Sequence, residues 1–271
     1  METGFQPLDP TGASKGETLV KKRRQIPYRL IAPNLVTLLG LCAGLTAIRM
    51  SIEGRMELAV ILIIIAAALD GIDGRVARFL KGSSKFGAEL DSLTDFVNFG
   101  VAPAIMLFMW GLQDYRSIGW IASLIFAICA ALRLARFNAA LDNPSKPYWQ
   151  TKFFTGVPAP SGAIIGMLPI YLSFLGIPAN EMTQGPVILY VLAIGFLMVS
   201  NIPTYSGKTF GSGVPADWVL PIILGVVLLV ALLVTFTWWF LTIGTLVYLA
   251  VIPFSWRSYR RHAADMAISK E

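Results

Sequence analysis

The chain has 271 residues, of which 55% are hydrophobic and only 14% charged, with a net charge of +6. Soluble domains carry about 25% charged residues, which excludes an ordinary soluble globular protein. No basic soluble domain exists to hold a duplex, so the positive charge fits an anionic bilayer surface and not nucleic acid.

Residues 1–30 are polar and basic, too polar for a signal peptide. Within them "LVKKRRQIPYRL" (19–30) interleaves cations with apolar residues. It reads as an interfacial segment on anionic lipid or as a plain topology signal, since both use the same charges. Eight apolar runs follow, at about 31–50, 56–80, 87–111, 117–138, 157–176, 186–202, 218–235 and 237–255. Each is near the ~20 residues that a transmembrane helix needs. The last two are separated only by a very tight turn at "TFTWWF". Pro158 and Pro160 mark the first turn of the fifth run, where proline is tolerated.

The expected fold is therefore an all-α polytopic transmembrane bundle of about eight spans. Its parts are an interfacial segment 1–30, a membrane domain 31–257 and a tail 258–271. With eight spans, both termini and every loop after an even span share one side, which collects 19 of the 22 Lys and Arg residues. Only Arg49, Arg55 and Arg116 lie opposite. The positive-inside rule puts both termini in the cytoplasm. Cys42 and Cys129 fall inside spans and read as small buried hydrophobes. The sole histidine, His262, lies in the tail, so no histidine-based metal site or nucleophile is available.

The chemistry concentrates in "AAALDGIDGRVARFLKGSSKFGAELDSLTDFVNFG" (66–100). Asp70 and Asp73 are three apart and share a helix face, which Gly74, Ala77 and Arg78 continue. Asp91 and Asp95 share a face of the next span. The connection "KGSSKF" (81–86) is short, so the two helices are antiparallel neighbours and all four carboxylates can meet. Four carboxylates in a low-dielectric site need counter-charge. Oxygen-only ligands favour a hard cation, Mg²⁺, Mn²⁺ or Ca²⁺, over zinc. Gly74 and Gly87 lack side chains where the pairs converge, which admits a helix or a ligand. Arg78 beside a hard metal suits a phosphate clamp.

The spacing Asp70-x2-Asp73-Gly74-x2-Ala77-Arg78-x8-Gly87-x3-Asp91-x3-Asp95 resembles the complete signature of the CDP-alcohol phosphotransferases. Eight fixed positions make this specific, unlike a lone short motif. The resemblance implies an integral membrane enzyme that moves a phosphatidyl or related group from a CDP-linked donor to an alcohol. It implies two divalent ions, Mg²⁺ or Mn²⁺, held by Asp70, Asp73, Asp91 and Asp95 against the CDP diphosphate. It implies Asp95 as general base and Gly74 and Arg78 as donor contacts. Ser84 stands where the family places a loop hydroxyl near the donor's phosphates. Asn34 in "APNLVT" (32–37) stands near the nucleotide. A homodimer and a bacterial inner membrane are further expectations.

"DFVNFGVAPA" (95–104), "ALRLARFN" (131–138) and "FFTGVPAP" (153–160) resemble the membrane-spanning phosphatidylserine synthase branch. That branch implies CDP-diacylglycerol and L-serine as substrates. It often has Ser where this chain has Asn98. Asn98 follows Asp91 and Asp95 on one helix face, so it either hydrogen-bonds a small acceptor or bridges helices. Arg133 and Arg136 sit at the cytoplasmic end of the fourth span. A guanidinium suits the carboxylate of serine, equally suits the phosphate of glycerol 3-phosphate or inositol phosphate, or snorkels to the interface. A phosphatidylglycerophosphate or phosphatidylinositol-phosphate synthase is thus the alternative within the family. A divalent-cation transporter is the alternative outside it, opposed by an arginine beside the carboxylates.

Overall fold

The computed structural model describes residues 28–80, 84–141, 153–177, 181–205 and 216–268. Most of the basic segment 1–30, the start of the 81–86 connection and residues 269–271 lie outside them. The helices are α1 (Tyr28–Ile52), α2 (Met56–Phe79), α3 (Lys85–Phe96), α4 (Ala102–Trp110), α5 (Arg116–Leu141), α6 (Ala159–Gly166), α7 (Leu168–Phe174), α8 (Glu181–Val199), α9 (Ala216–Thr235) and α10 (Thr237–Ile268). Every expected apolar run falls on helix. Among the described residues, five segments are long and apolar enough to cross a membrane: Ile31–Ile52, Lys85–Trp110, Leu112–Ala140, Trp218–Thr235 and Thr237–Arg257. Ala159–Phe174 and Gly185–Val199 are shorter apolar helices.

The third run is not a plain α-helix. α3 and α4 are joined by a π-helical turn, Val97–Val101, closed by the Ala102 N–H bonding to the Val97 carbonyl. Pro103 follows directly and has no N–H to return to the preceding turn, so the wider turn replaces an α-helical bond that proline forbids. Gly100 makes this possible, because a Cβ there would lie 3.0 Å from Ala130 Cβ and 3.1 Å from the Phe96 ring. The fifth run is two helices for a related reason. Pro169 stands at the start of α7, and the chain bends at Met167 between α6 and α7. The last helix continues to Ile268, past the expected end at 257.

One feature departs from an all-helical reading. Phe153–Thr155 (β1) and Pro203–Tyr205 (β2) pair antiparallel, with Phe154 opposite Thr204. α5 and α8 pack along each other, which brings the segments beyond their C-termini together. Gly156 holds the turn out of β1 at φ +76, pressed against the carbonyls of Met198 and Ser200. That conformation and that closeness both require glycine.

The core gathers Ile63 from α2, Met106 and Leu107 from α4, Phe126 from α5, Tyr171 from α7, and Ile194 and Met198 from α8. α1 packs against α2 through small residues such as Ala47, Ala59 and Ala66, all fully buried. Small side chains let two backbones approach closely where apolar area alone gives no drive. Cys129 is buried as expected, whereas Cys42 is exposed on the outer face of α1. α9 breaks from α10 at Phe236, and its apolar side chains are exposed along its length.

Candidate active site

The short connection between α2 and α3 folds the two aspartate pairs onto each other. One carboxylate oxygen each from Asp70, Asp91 and Asp95 lies within 4.8 Å of the others. Asp70 and Asp95 are close enough to share a hydrogen bond. All three are partly buried. Asp73 is 5% exposed and turns from this trio toward α1, where Thr37 donates a hydrogen bond of 2.8 Å to its Oδ2. It remains within electrostatic reach of Asp70 and Asp91. The four carboxylates thus form a trio and a neighbour.

A pocket of about 180 Å³ lies beside the trio, between α1, α2 and α3. Asn34 and Thr37 line it from α1, Asp73, Gly74 and Ala77 from α2, Gly87 and Asp91 from α3, and Ser84 from the residue just before α3. Asp91 belongs to both the pocket and the carboxylate trio. The two glycines play different parts. A Cβ on Gly74 would meet only Arg78 Nη1, 3.8 Å away, so this position leaves open space. A Cβ on Gly87 would fall 2.8 Å from Asn34 Oδ1 and 3.2 Å from Ser84 Oγ, so this position permits contact between α1 and α3. Ser84 caps α3, its Oγ accepting the Gly87 N–H at 2.9 Å. Such a cap is worth about 1 kcal/mol and fixes where the helix begins. Arg78 is exposed at the end of α2.

The three remaining candidates separate. Arg133 of α5 is half-buried and within electrostatic reach of Asp95, Asp70 and Tyr248 of α10. It also lies over the Phe137 ring at 5.6 Å. Arg136 points elsewhere, its Nη1 donating to the Val199 carbonyl at 2.6 Å and to Asn201 Oδ1 at 3.0 Å. It thereby satisfies an orphan carbonyl at the C-terminus of α8. Asn98 is 1% exposed and packs against Gly40 and Gly44 of α1, where a Cβ on Gly44 would overlap its Oδ1. It does not line the pocket between α1, α2 and α3, and its Oδ1 has no hydrogen-bond partner among the described residues.

Two participants were not singled out in the sequence. Thr37 is three residues past Asn34, a spacing that puts both on one face of α1. Tyr248 carries no local signal, because only the packing of α10 against the rest brings it to Arg133.

The residues suit hard cations. Three carboxylates crowded within 4.8 Å of one another repel unless a positive charge sits among them, and oxygen ligands prefer Mg²⁺, Mn²⁺ or Ca²⁺.

Comparison with known proteins agrees with this geometry. The family model described as CDP-alcohol phosphatidyltransferase matches residues 30–205, and CDP-alcohol phosphatidyltransferase 2 matches residues 217–253. The chain is 38% identical over 247 residues to a CDP-diacylglycerol–serine O-phosphatidyltransferase of Mycobacterium leprae, covering 90% of this chain and 80% of the relative. It is 39% identical over 233 residues to the enzyme of that name from Mycobacterium tuberculosis, covering 85% and 79%. An archaetidylserine synthase of Methanothermobacter thermautotrophicus is 32% identical over 181 residues, covering 66% and 71%. With the aspartate trio, the flanking pocket and a matching model over most of its length, the chain belongs to the CDP-alcohol phosphatidyltransferase family.

Proposed function

We propose that this integral membrane protein transfers the phosphatidyl group of CDP-diacylglycerol to the hydroxyl of L-serine, releasing CMP. The observation that carries the reading is the placement of Arg133 beside an aspartate trio that shares Asp91 with a glycine-opened pocket. A diphosphate needs the trio, a nucleotide suits the pocket, and an amino-acid acceptor needs a cation for its carboxylate. The relatives named for serine, one of them on an archaetidyl lipid, support the same acceptor.

Asp70, Asp73, Asp91 and Asp95 would hold two divalent ions, Mg²⁺ or Mn²⁺. When bound, such ions neutralise the donor's diphosphate and stabilise the CMP leaving group. The protein's own groups do the rest. Thr37 holds the Asp73 carboxylate in place. Asn34, Gly74 and Ser84 frame the nucleotide, and Arg78 at the end of α2 meets its phosphates. Arg133 anchors the serine carboxylate through its planar fork. Asp95 takes the serine hydroxyl proton as that oxygen bonds to the phosphorus bearing the diacylglycerol. The bond from this phosphorus to the bridging oxygen breaks, and CMP leaves with that oxygen and its electron pair.

In the bilayer, the proposed arrangement is eight spans with both termini and the active site toward the cytoplasm, in a bacterial inner membrane. The distribution of 19 of 22 cations supports this orientation. Residues 31–257 form the membrane domain, with 1–30 as an interfacial segment and 258–271 as a tail, and the working assembly is a homodimer. The test of function uses purified protein with CDP-diacylglycerol and metal. CMP release with L-serine, and not with glycerol 3-phosphate or inositol phosphate, supports the reading. CMP release only with a phosphorylated acceptor refutes it.

A further inference from the structure

α5 meets α3 and the π-turn at two fixed points. On the side of the α2–α3 connection, Asn138 Nδ2 of α5 donates to Ser92 Oγ of α3 at 2.9 Å, and the Ser92 hydroxyl donates onward to the Ala88 carbonyl at 3.0 Å. The serine's one proton is thus committed, so its oxygen accepts and Asn138 presents its NH₂. Further from the connection, Gly100 lets the π-turn press on α5, since a Cβ there would lie 3.0 Å from Ala130 Cβ. Between the two points Leu134 packs with Phe99, and Phe96 lies against them.

The two points are eight residues apart on both segments, Ser92 to Gly100 and Ala130 to Asn138, about 12 Å in each case. Ser92 meets Asn138 and Gly100 meets Ala130, so the segments run antiparallel and are clamped at both ends. Asp95 lies inside one interval and Arg133 inside the other, within electrostatic reach of each other. Arg133 also lies over the ring of Phe137, the residue next to Asn138. The apolar packing between the clamps does little to set this register, because lipid tails solvate such side chains as well as protein does. The close contact at Gly100 and the hydrogen bond at Asn138 do set it.

The hydroxyl and the carboxylate of L-serine are joined through two carbons, and the roles assigned to Asp95 and Arg133 put one group at each residue. The distance between the two side chains then sets which acceptor fits. We propose that Asn138 is a positioning residue which, acting through Ser92, holds Arg133 at a fixed distance from Asp95 and so makes the site read the hydroxyl-to-carboxylate span of its acceptor. This rests on the acceptor assigned above. Neither Asn138 nor Ser92 has a part in the proton transfer or the carboxylate grip, so losing their bond loosens the measure without removing a group that uses it.

The test compares L-serine with L-homoserine, whose span is one methylene longer, by CMP release from the full-length protein in mixed micelles at saturating CDP-diacylglycerol and metal. A methylene too many is worth about tenfold or more in kcat/KM, so the wild type should prefer serine by that margin. Asn138→Ala should lower the serine-to-homoserine ratio roughly threefold or more, the scale of one neutral hydrogen bond, with the KM for CDP-diacylglycerol near wild type. Ser92→Ala should do the same, and the double variant should lose little more. Ser92→Thr keeps the acceptor oxygen and should keep the wild-type ratio. A general loosening of the fold would instead slow both acceptors alike. An unchanged ratio in Asn138→Ala and Ser92→Ala, or a wild type that takes both amino acids equally, overturns the proposal and leaves phosphatidyl transfer to serine standing. A changed ratio in Asn138→Ala but not in Ser92→Ala also overturns it, since the amide then touches the acceptor directly. Wild-type CMP release only with glycerol 3-phosphate or inositol phosphate overturns the acceptor reading and the proposal with it.

Discussion

Thr37 of α1 reaches across to α2 and donates a hydrogen bond to the Asp73 carboxylate at 2.8 Å, while Asp70, one turn back on α2, joins Asp91 and Asp95. The two aspartates of one pair thus serve different neighbours. A bond to a charged acceptor is worth about 1.5–3 kcal/mol. Thr37→Val keeps the shape and removes the donor, so kcat/KM for CDP-diacylglycerol should fall roughly ten- to hundredfold with a small change in thermal stability. A wild-type value at limiting metal and donor would show that Asp73 needs no support from α1.

The carboxylate cluster makes a metal requirement testable without choosing the ion. EDTA should abolish CMP release, and Mg²⁺ or Mn²⁺ should restore it. Asp70→Asn, Asp73→Asn and Asp91→Asn each remove one ligand charge and should each lose most activity. Full turnover in metal-free buffer would exclude a metal role for the cluster.

Much of this was legible in the sequence because the relevant periodicities are local. Asp70 with Asp73, and Asp91 with Asp95, announce their shared faces at spacings of three and four, and the short connection forces the pairs together. What stayed hidden depends on breaks in that regularity or on distant packing. The π-turn at Val97–Val101 breaks the helical register beyond Asn98, and no pattern of apolar residues announces it. Arg133 and Arg136 have the same side chain three residues apart on one helix. Only the position of the α8 C-terminus claims one of them. The pairing of β1 with β2 joins segments some fifty residues apart and leaves no mark in either stretch.

Gly87 permits α1 and α3 to touch, and its replacement has a defined victim. In Gly87→Ala the new methyl would sit 2.8 Å from Asn34 Oδ1, displacing that amide from the pocket wall. KM for CDP-diacylglycerol should rise several-fold, with KM for serine little changed. Asn34→Ala removes the obstructed group, so Gly87→Ala should add little to it, a non-additivity expected only of residues in contact. Strictly additive losses in the double variant would show that Gly87 acts independently of Asn34.

Asp95 lies at the meeting point of Asp70, Asp91 and Arg133. If it is the base for the incoming hydroxyl, as proposed, its change to Asn should cost about 10²-fold or more in turnover. CDP-diacylglycerol binding at saturating metal should survive better than turnover does. Near-normal kcat in Asp95→Asn would remove the residue from the proton transfer.

The two arginines of α5 give the sharpest test of the acceptor. Arg133 faces Asp95 and Asp70, whereas Arg136 is held by the Val199 carbonyl and Asn201 at the end of α8. A carboxylate gripped by a guanidinium receives two parallel N–H bonds, and lysine keeps the charge but loses the fork. Arg133→Lys should therefore raise the KM for L-serine roughly tenfold or more, on the scale of a charge-assisted bond, while the KM for CDP-diacylglycerol moves little. Arg136→Lys should do the reverse of a binding variant, leaving both KM values near wild type and lowering the melting temperature as the α8 terminus loses its cap. If Arg133→Lys raises both KM values together, its guanidinium serves the donor's phosphates and the serine carboxylate is held elsewhere. If Arg136→Lys alone raises the serine KM, the acceptor enters at the end of α8, on the far side of Arg136 from the carboxylates.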